Sequence, residues 1–200
     1  MIFQDVFKEY LVIDYLKNIN LKQLAKNIKT ARKSHNGVSI SNLGGWQSEA
    51  IVPPNIISVD KELNDSFKQI QNVVNIIADK INLADNVYLK NFWFNINNKF
   101  ESNAIHHHLH FMSKNIISGV FYVDYPKDSG EIVFCNSNDV RGALYDMSTI
   151  KKYNEYNSQN WKVKPETGKF LLFPTYLKHY VEPSRINKDR ISIAFNFGYI

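Results

Sequence analysis

Hydrophobic positions change their period once along the chain. Up to residue 81 they recur every three or four residues, and from residue 87 they alternate singly. Leu21, Leu24, Ile28 and Ala31 form one stripe and predict a helix over 20–33. Asn20 stands before it as a cap, with Gln23 at capping-box distance. Leu63, Phe67, Ile70, Val74, Ile77 and Ile81 predict a longer helix over 59–81. Ser58 or Asp60 is its cap, and Asp60 and Glu62 suit the positive N-terminal end. Both stripes read as core faces packed on a sheet. Between the helices, "GVSISNLGGWQSEAIVPPN" is irregular chain, marked by Gly44-Gly45 and Pro53-Pro54. A loop of this length carries function more often than a plain connection does. Trp46 and Gln47 either line a pocket mouth or pin the loop to the core.

From residue 87 the segments "VYLKNFWFNI", "IISGVFYVDY", "EIVFCN", "GKFLLFP", "HYVEP" and "DRISIAFNF" read as strands. Ser129-Gly130 predicts a hairpin between the second and third of them. Short strands divided by Gly, Pro and Asp turns predict a mainly β fold with N-terminal helices, of sandwich or jelly-roll type. Residues 136–160, rich in Asn, Ser, Asp and Tyr, read as an insertion or lid. The 200 residues are expected to form one domain, with 1–86 as helical support and loop and 87–200 as the β core.

Composition narrows the setting. Hydrophobic residues make up 44% and aromatics 14%, which excludes a disordered chain. No apolar run reaches bilayer length, and Asp5 and Lys8 interrupt the N-terminus where a signal peptide would be apolar. Cys135 is the only cysteine, so no intramolecular disulfide forms and a cytoplasmic setting is expected. The net charge of +5 comes from scattered lysines. Lys26, Lys29, Arg32 and Lys33, the nearest thing to a cluster, read as the solvated face of a helix. Neither nucleic acid nor membrane is indicated as a partner.

Four of the six histidines fall in "NAIHHHLHFMS". On a strand, His106, His108 and His110 face one way and His107 the other. Two imidazoles at i and i+2 can take adjacent positions on one metal ion. His179, in another strand-rich block, is the candidate third ligand. Arg190 follows eleven residues later, room for a strand, a turn and a return strand, and Ser192 shares its face. A guanidinium with a hydroxyl beside it suits a carboxylate. A metal at one end and a carboxylate clamp at the other is the layout that holds a keto acid by both ends.

The blocks "SNLGGWQS" (41–48), "FWFNI" (92–96), "HHHL" (106–109), "SGVFYVDYP" (118–126), "SGEIVF" (129–134), "PETGKFLLFPTYLKHYVEP" (165–183) and "RISIAFN" (190–196) carry a resemblance. The chain resembles the Fe(II)/2-oxoglutarate-dependent dioxygenases, and more closely a group of small 2OG-Fe(II) oxygenases of bacteria and phages. The resemblance implies a double-stranded β-helix, a cupin-like jelly roll, with the helices outside one sheet. It implies Fe(II), 2-oxoglutarate and O2 as cofactors, with ascorbate as support. Oxidative decarboxylation of 2-oxoglutarate would be coupled to hydroxylation of a substrate, with peptide, sugar and nucleotide all open. By position, His106 opens the metal motif, His179 is the distal histidine, Arg190 anchors the far carboxylate and Ser192 supports it. Tyr122 would add a phenol, and Asn196 faces the cavity.

One position departs from the superfamily pattern. The usual triad has a carboxylate where this chain has His108. His108 is the preferred second ligand; His110, or a carboxylate such as Asp124 or Glu131, are the alternatives. Losing an anionic ligand leaves the site one charge unit more positive, which would tune iron or favour zinc. That keeps two further readings open: a non-redox metal-binding jelly-roll module, and a zinc hydrolase or isomerase.

Overall fold

The computed structural model describes all residues except 3, 5, 54–59, 84, 85, 111, 139–146 and 200. The elements in order are β1 (Val12–Tyr15), α1 (Leu21–Ser34), β2 (Asn42–Leu43), β3 (Trp46–Gln47), α2 (Lys61–Lys80), β4 (Tyr88–Asn97), β5 (Ser102–His106), β6 (Asn115–Asp124), β7 (Ile132–Cys135), a 3-10 turn (Met147–Thr149), β8 (Asn160–Val163), β9 (Lys169–Pro174), β10 (His179–Val181) and β11 (Arg190–Gly198). They form a six-stranded sheet in the order β1-β9-β6-β11-β4-β3 and a five-stranded sheet in the order β2-β5-β10-β7-β8. Every strand pair is antiparallel.

Both helices start where the caps predict. The Asn20 side chain accepts from the Gln23 amide, and Asp60 accepts from the Leu63 amide. The capping box at α1 is only half formed. The Gln23 side chain donates to Asn27, and the Asn20 amide is instead satisfied by Glu62 of α2. Asn27 also donates to Asp60, so each helix helps to cap the other. Ser58, the other candidate cap, lies outside the described residues.

The apolar stripes of α1 and α2 cover the outer face of the larger sheet. Leu24, Ile28, Leu63, Phe67, Ile70, Val74 and Ile77 share one core with Phe92, Phe94, Ile96, Ile193, Phe195 and Phe197. Burying one such side chain stabilises by roughly 1.5–3 kcal/mol, so this layer is the main adhesive of the fold. A smaller cluster, including Tyr122, Ile132, Phe134, Leu171, Phe173 and Leu177, lies between the sheets.

Three expectations change. β6 and β7 do not form a hairpin: β6 lies in the larger sheet and β7 in the smaller. The chain crosses at Gly130, whose φ is +92°, and a Cβ there would stand 2.1 Å from the Glu182 carbonyl oxygen. The turn thus redirects the chain between layers rather than reversing it within one. His179 and Arg190 likewise sit on facing sheets, not on neighbouring strands. Finally, Trp46 is buried in the outer core and donates Nε1–H to the His35 carbonyl, so it pins its loop. Among the described residues no helix is long and apolar enough to cross a membrane.

Candidate metal and cosubstrate site

β5 ends at His106, so strand alternation does not carry on to His108 and His110. His106 and His179 are register partners on β5 and β10. A bulge follows: a two-position step on β10, from His179 to Val181, faces a three-position step on β5, from His106 back to Asn103. Such a bulge shifts the side-chain phase, and both Asn103 and His106 line the cavity between the sheets. His108 lies beyond the strand. Its backbone amide donates to the Thr175 carbonyl at 3.0 Å, and its ring returns to the same cavity.

The ring nitrogens of His106, His108 and His179 that could hold an ion lie within 4.8 Å of one another. Each ring is fixed by its Nδ1: His106 on the Ala104 carbonyl at 2.7 Å, His179 on the Leu177 carbonyl at 2.9 Å, and His108 on Asn196 Oδ1 at 2.8 Å. Carbonyl oxygens only accept, so each Nδ1 carries the proton and each Nε2 keeps a lone pair. His108 Nε2 is buried and has no protein partner. Burial lowers the pKa of all three rings, that of His108 to about 4, with the neighbouring histidines adding to the effect. Neutral imidazoles with converging lone pairs are a donor set for a borderline divalent cation. The residues fit a metal. His107 and His110 are exposed, and His110 Nδ1 accepts from the Met112 amide at 3.4 Å.

The larger sheet furnishes the rest of the cavity in rows. Arg190 pairs with Asn97; Ser192 pairs with both Asn95 and Tyr122; Ala194 pairs with Trp93 and Val120; Asn196 pairs with Asn91 and Ser118. Opposed residues share a face, so Arg190, Ser192 and Tyr122 fall on one wall, and all three line the cavity with the histidines. Arg190 is 2% exposed. Its Nη1 donates to the Ser129 carbonyl at 2.7 Å and to that of Gly130 at 3.4 Å. Among the described residues no carboxylate forms an ion pair with it. Burial lowers its pKa, while Tyr122, Tyr125 and Glu101 oppose the shift. The Tyr122 hydroxyl is buried without a partner, and burial raises its pKa. A buried cation beside an unsatisfied phenol is costly unless an anion joins them.

Pattern reading missed Ser41, Trp93, Asn95 and Asn103, which also line the cavity. The signal for part of this was present. Along β4, Asn91, Trp93, Asn95 and Asn97 alternate with Phe92, Phe94 and Ile96. The apolar set faces the helices, so the polar set must face inward. Asp124 and Glu131, the alternative ligands, are not among the residues that line the cavity.

Comparison with known proteins gives the family and supports the fold. The model of a family of 2OG-Fe(II) oxygenases matches residues 91–196. No curated protein matches the chain. Among solved structures, a prolyl-4-hydroxylase of Pseudomonas putida is similar at 15% identity and TM-score 0.65, over 95% of this chain and 92% of that one. The viral collagen prolyl hydroxylase of Paramecium bursaria Chlorella virus-1, solved with 2-oxoglutarate, gives 15% identity and TM-score 0.62, over 96% and 97%. HygX of Streptomyces hygroscopicus, solved with nickel and 2-oxoglutarate, gives 10% and 0.57, over 94% and 82%.

Proposed function

The chain belongs to the 2OG-Fe(II) oxygenase family and is an enzyme using Fe(II), 2-oxoglutarate and O2, and on that premise we propose that His106, His108 and His179 hold the iron while Arg190, with Ser192 and Tyr122, holds the far carboxylate of 2-oxoglutarate. The observation that carries this reading is the buried Arg190 guanidinium with no carboxylate partner among the described residues, in one cavity with three Nε2 lone pairs. One end of that cavity calls for a cation and the other for an anion, and the cosubstrate answers the second demand.

When bound, iron supplies the chemistry: 2-oxoglutarate and O2 yield succinate and CO2, and one oxygen atom passes to the substrate as a hydroxyl. The protein's part is positional. Nη1 of Arg190 is held on the Ser129 carbonyl, which aims the rest of the fork into the cavity. The Ser192 and Tyr122 hydroxyls, on the same wall, donate to the same carboxylate. Phe173, Ile132 and Val181 give the cavity apolar walls that exclude water, with Phe173 packed against the His179 ring. Three neutral ligands in place of two plus a carboxylate leave the iron one charge unit more positive.

Beside this centre lies a groove of about 780 Å³ between the N-terminal segment leading into β1 and the edge strand β8, and we propose it as the substrate-binding surface. Phe134 and Leu177 line it and form the wall next to His179. The Phe134 ring lies 5.9 Å from that of His179, and Leu177 gives His179 its carbonyl. The groove offers the rings of Trp161, Tyr156 and Tyr10 and the amides of Asn136, Gln159 and Asn160. Among the described residues its charges are Lys8, Glu9 and Glu155, a balance that disfavours phosphate. A peptide or sugar suits it better than a nucleotide.

Purified protein with Fe(II), 2-oxoglutarate, O2 and ascorbate is expected to release succinate slowly without substrate, and faster with a peptide or oligosaccharide that fits the groove. No succinate under any of these conditions, or no 2-oxoglutarate affinity in the metal-loaded protein, would defeat the proposal. Stimulation by nucleotides alone would defeat only the substrate assignment.

A further inference from the structure

His106 and His179 are placed by strand pairing with each other, and each ring is held by a carbonyl two residues back in its own chain. His108 has neither device. It lies past the end of β5, and its ring hydrogen bond crosses the cavity to the opposite sheet. Its partner Asn196 sits on β11, 4% exposed.

Two further contacts fix that amide. Its Nδ2 donates to Asn91 Oδ1 at 2.9 Å. Its Oδ1 accepts from the Ser118 hydroxyl at 2.7 Å as well as from the His108 ring. Ser118 in turn lies 3.1 Å from the Thr175 hydroxyl, and the Thr175 carbonyl holds the His108 backbone. Ring and backbone of His108 are therefore tied to one frame built from β4, β6, β11 and the end of β9. Rotating the ring half a turn about Cβ–Cγ would bring Cδ2 to the place of Nδ1 and Cε1 to the place of Nε2, losing the bond to Asn196 and turning Nε2 away, so the amide fixes both the tautomer and the side on which Nε2 is offered.

Resting on the three-histidine reading above, we infer that Asn196 is the positioning residue that makes His108 a metal ligand. It holds the ring as the Nδ1–H tautomer with Nε2 facing the other two imidazoles. A ligand's outer hydrogen bond sets its tautomer, orientation and basicity, and losing it typically weakens metal binding by about 10–100-fold. A neutral amide in this role keeps the site cationic. An aspartate at the same place would return a negative charge one bond further out.

The test combines Mn(II) and Co(II) titrations with ¹⁵N–¹H correlation of the imidazoles in metal-free protein. Wild type is expected to show His108 as the Nδ1–H tautomer. Asn196→Leu is expected to lose that tautomer preference and to bind metal about 10–100-fold more weakly. Asn196→Asp, which still accepts the ring proton, is expected to match or exceed wild-type affinity. Ser118→Ala keeps the amide but removes one anchor, and a smaller loss is expected; it also serves if Asn196→Leu fails to fold. A merely structural role would lower thermal stability and leave tautomer and affinity untouched. Folded Asn196→Leu or Ser118→Ala with wild-type affinity and an unchanged His108 tautomer overturns the inference. His108→Ala separates the two levels: wild-type affinity in that variant defeats the three-histidine reading itself.

Discussion

Replacing Arg190 by Met separates ligand binding from folding. The side chain is 2% exposed and carries a charge with no carboxylate partner among the described residues. Replacing a buried ion pair by apolar groups of similar volume is often neutral or stabilising by about 1–4 kcal/mol, and relieving the desolvation of this single charge acts in the same direction. Against that stands the loss of one short charge-assisted hydrogen bond to Ser129, about 1.5–3 kcal/mol. The two nearly cancel, so metal-loaded Arg190→Met without cosubstrate should unfold within about 2 kcal/mol of wild type. Cosubstrate binding should behave differently. Removing one partner of a buried, hydrogen-bonded charge pair costs about 2–5 kcal/mol, a loss of roughly 30- to several-thousand-fold in affinity. At one hundred times its Kd, 2-oxoglutarate stabilises wild type by about 2.7 kcal/mol, which for a domain of this size is about 5–10 °C in Tm. Thermal unfolding of the metal-loaded protein with and without 2-oxoglutarate reads both effects. The expected pattern is a similar baseline Tm and a vanished ligand shift. A baseline loss of several kcal/mol with the shift retained would refute the reasoning, because Arg190 would then be a structural residue.

Other expectations follow from the same geometry. His106→Ala, His108→Ala and His179→Ala should each weaken Mn(II) binding by about 100-fold or more, whereas His107→Ala and His110→Ala, both exposed, should bind as wild type in the same titration. Gly130→Ala would push a Cβ to 2.1 Å from the Glu182 carbonyl oxygen and 2.8 Å from Arg190 Nη1. A loss of about 3 kcal/mol or more is expected in urea melts; a loss below 1 kcal/mol would show that the crossing relaxes freely. Asp60→Ala removes the α2 cap and the acceptor for Asn27, and should cost about 1–2 kcal/mol by the same melts. Trp161→Ala, 47% exposed on the edge strand, should leave 2-oxoglutarate affinity unchanged while abolishing stimulation of succinate release by a groove-binding peptide or sugar.

Local signals carried much of the architecture. Both helices announce themselves because a single apolar stripe and a capping side chain are local properties, and Asn20 and Asp60 act as read. Most strands from β4 onward fall on the apolar segments read as strands, β8 excepted, although β9 is buried along its whole length rather than on alternate positions. Pairing was less legible, since which strand joins which sheet depends on long-range packing. Ser129-Gly130 looks like a hairpin turn, yet the left-handed Gly130 serves a crossing between layers. The short strands β1, β2, β3 and β8 were not foreseen, because two to four residues carry no readable period. At the site, spacing and resemblance singled out His106, His179, Arg190, Ser192 and Tyr122, and the structure brings these together. His108 joins them by a route that alternation did not describe. It lies off the strand and is held by Asn196 and Thr175, partners 88 and 67 positions away. The inward asparagines of β4 were visible as the polar half of an alternating strand, but only the covering helices reveal which half faces the cavity.

The central claim is that one cavity holds a metal on three histidines and 2-oxoglutarate between that metal and Arg190. A crystal structure of the protein loaded anaerobically with Mn(II) and 2-oxoglutarate tests it most directly, with anomalous scattering to locate the metal. The account predicts a single strong metal peak bonded to Nε2 of His106, His108 and His179, with the far carboxylate of 2-oxoglutarate on the Arg190 guanidinium. A metal that leaves out His108 in favour of His110 or a carboxylate, or a cosubstrate bound away from Arg190, would contradict it.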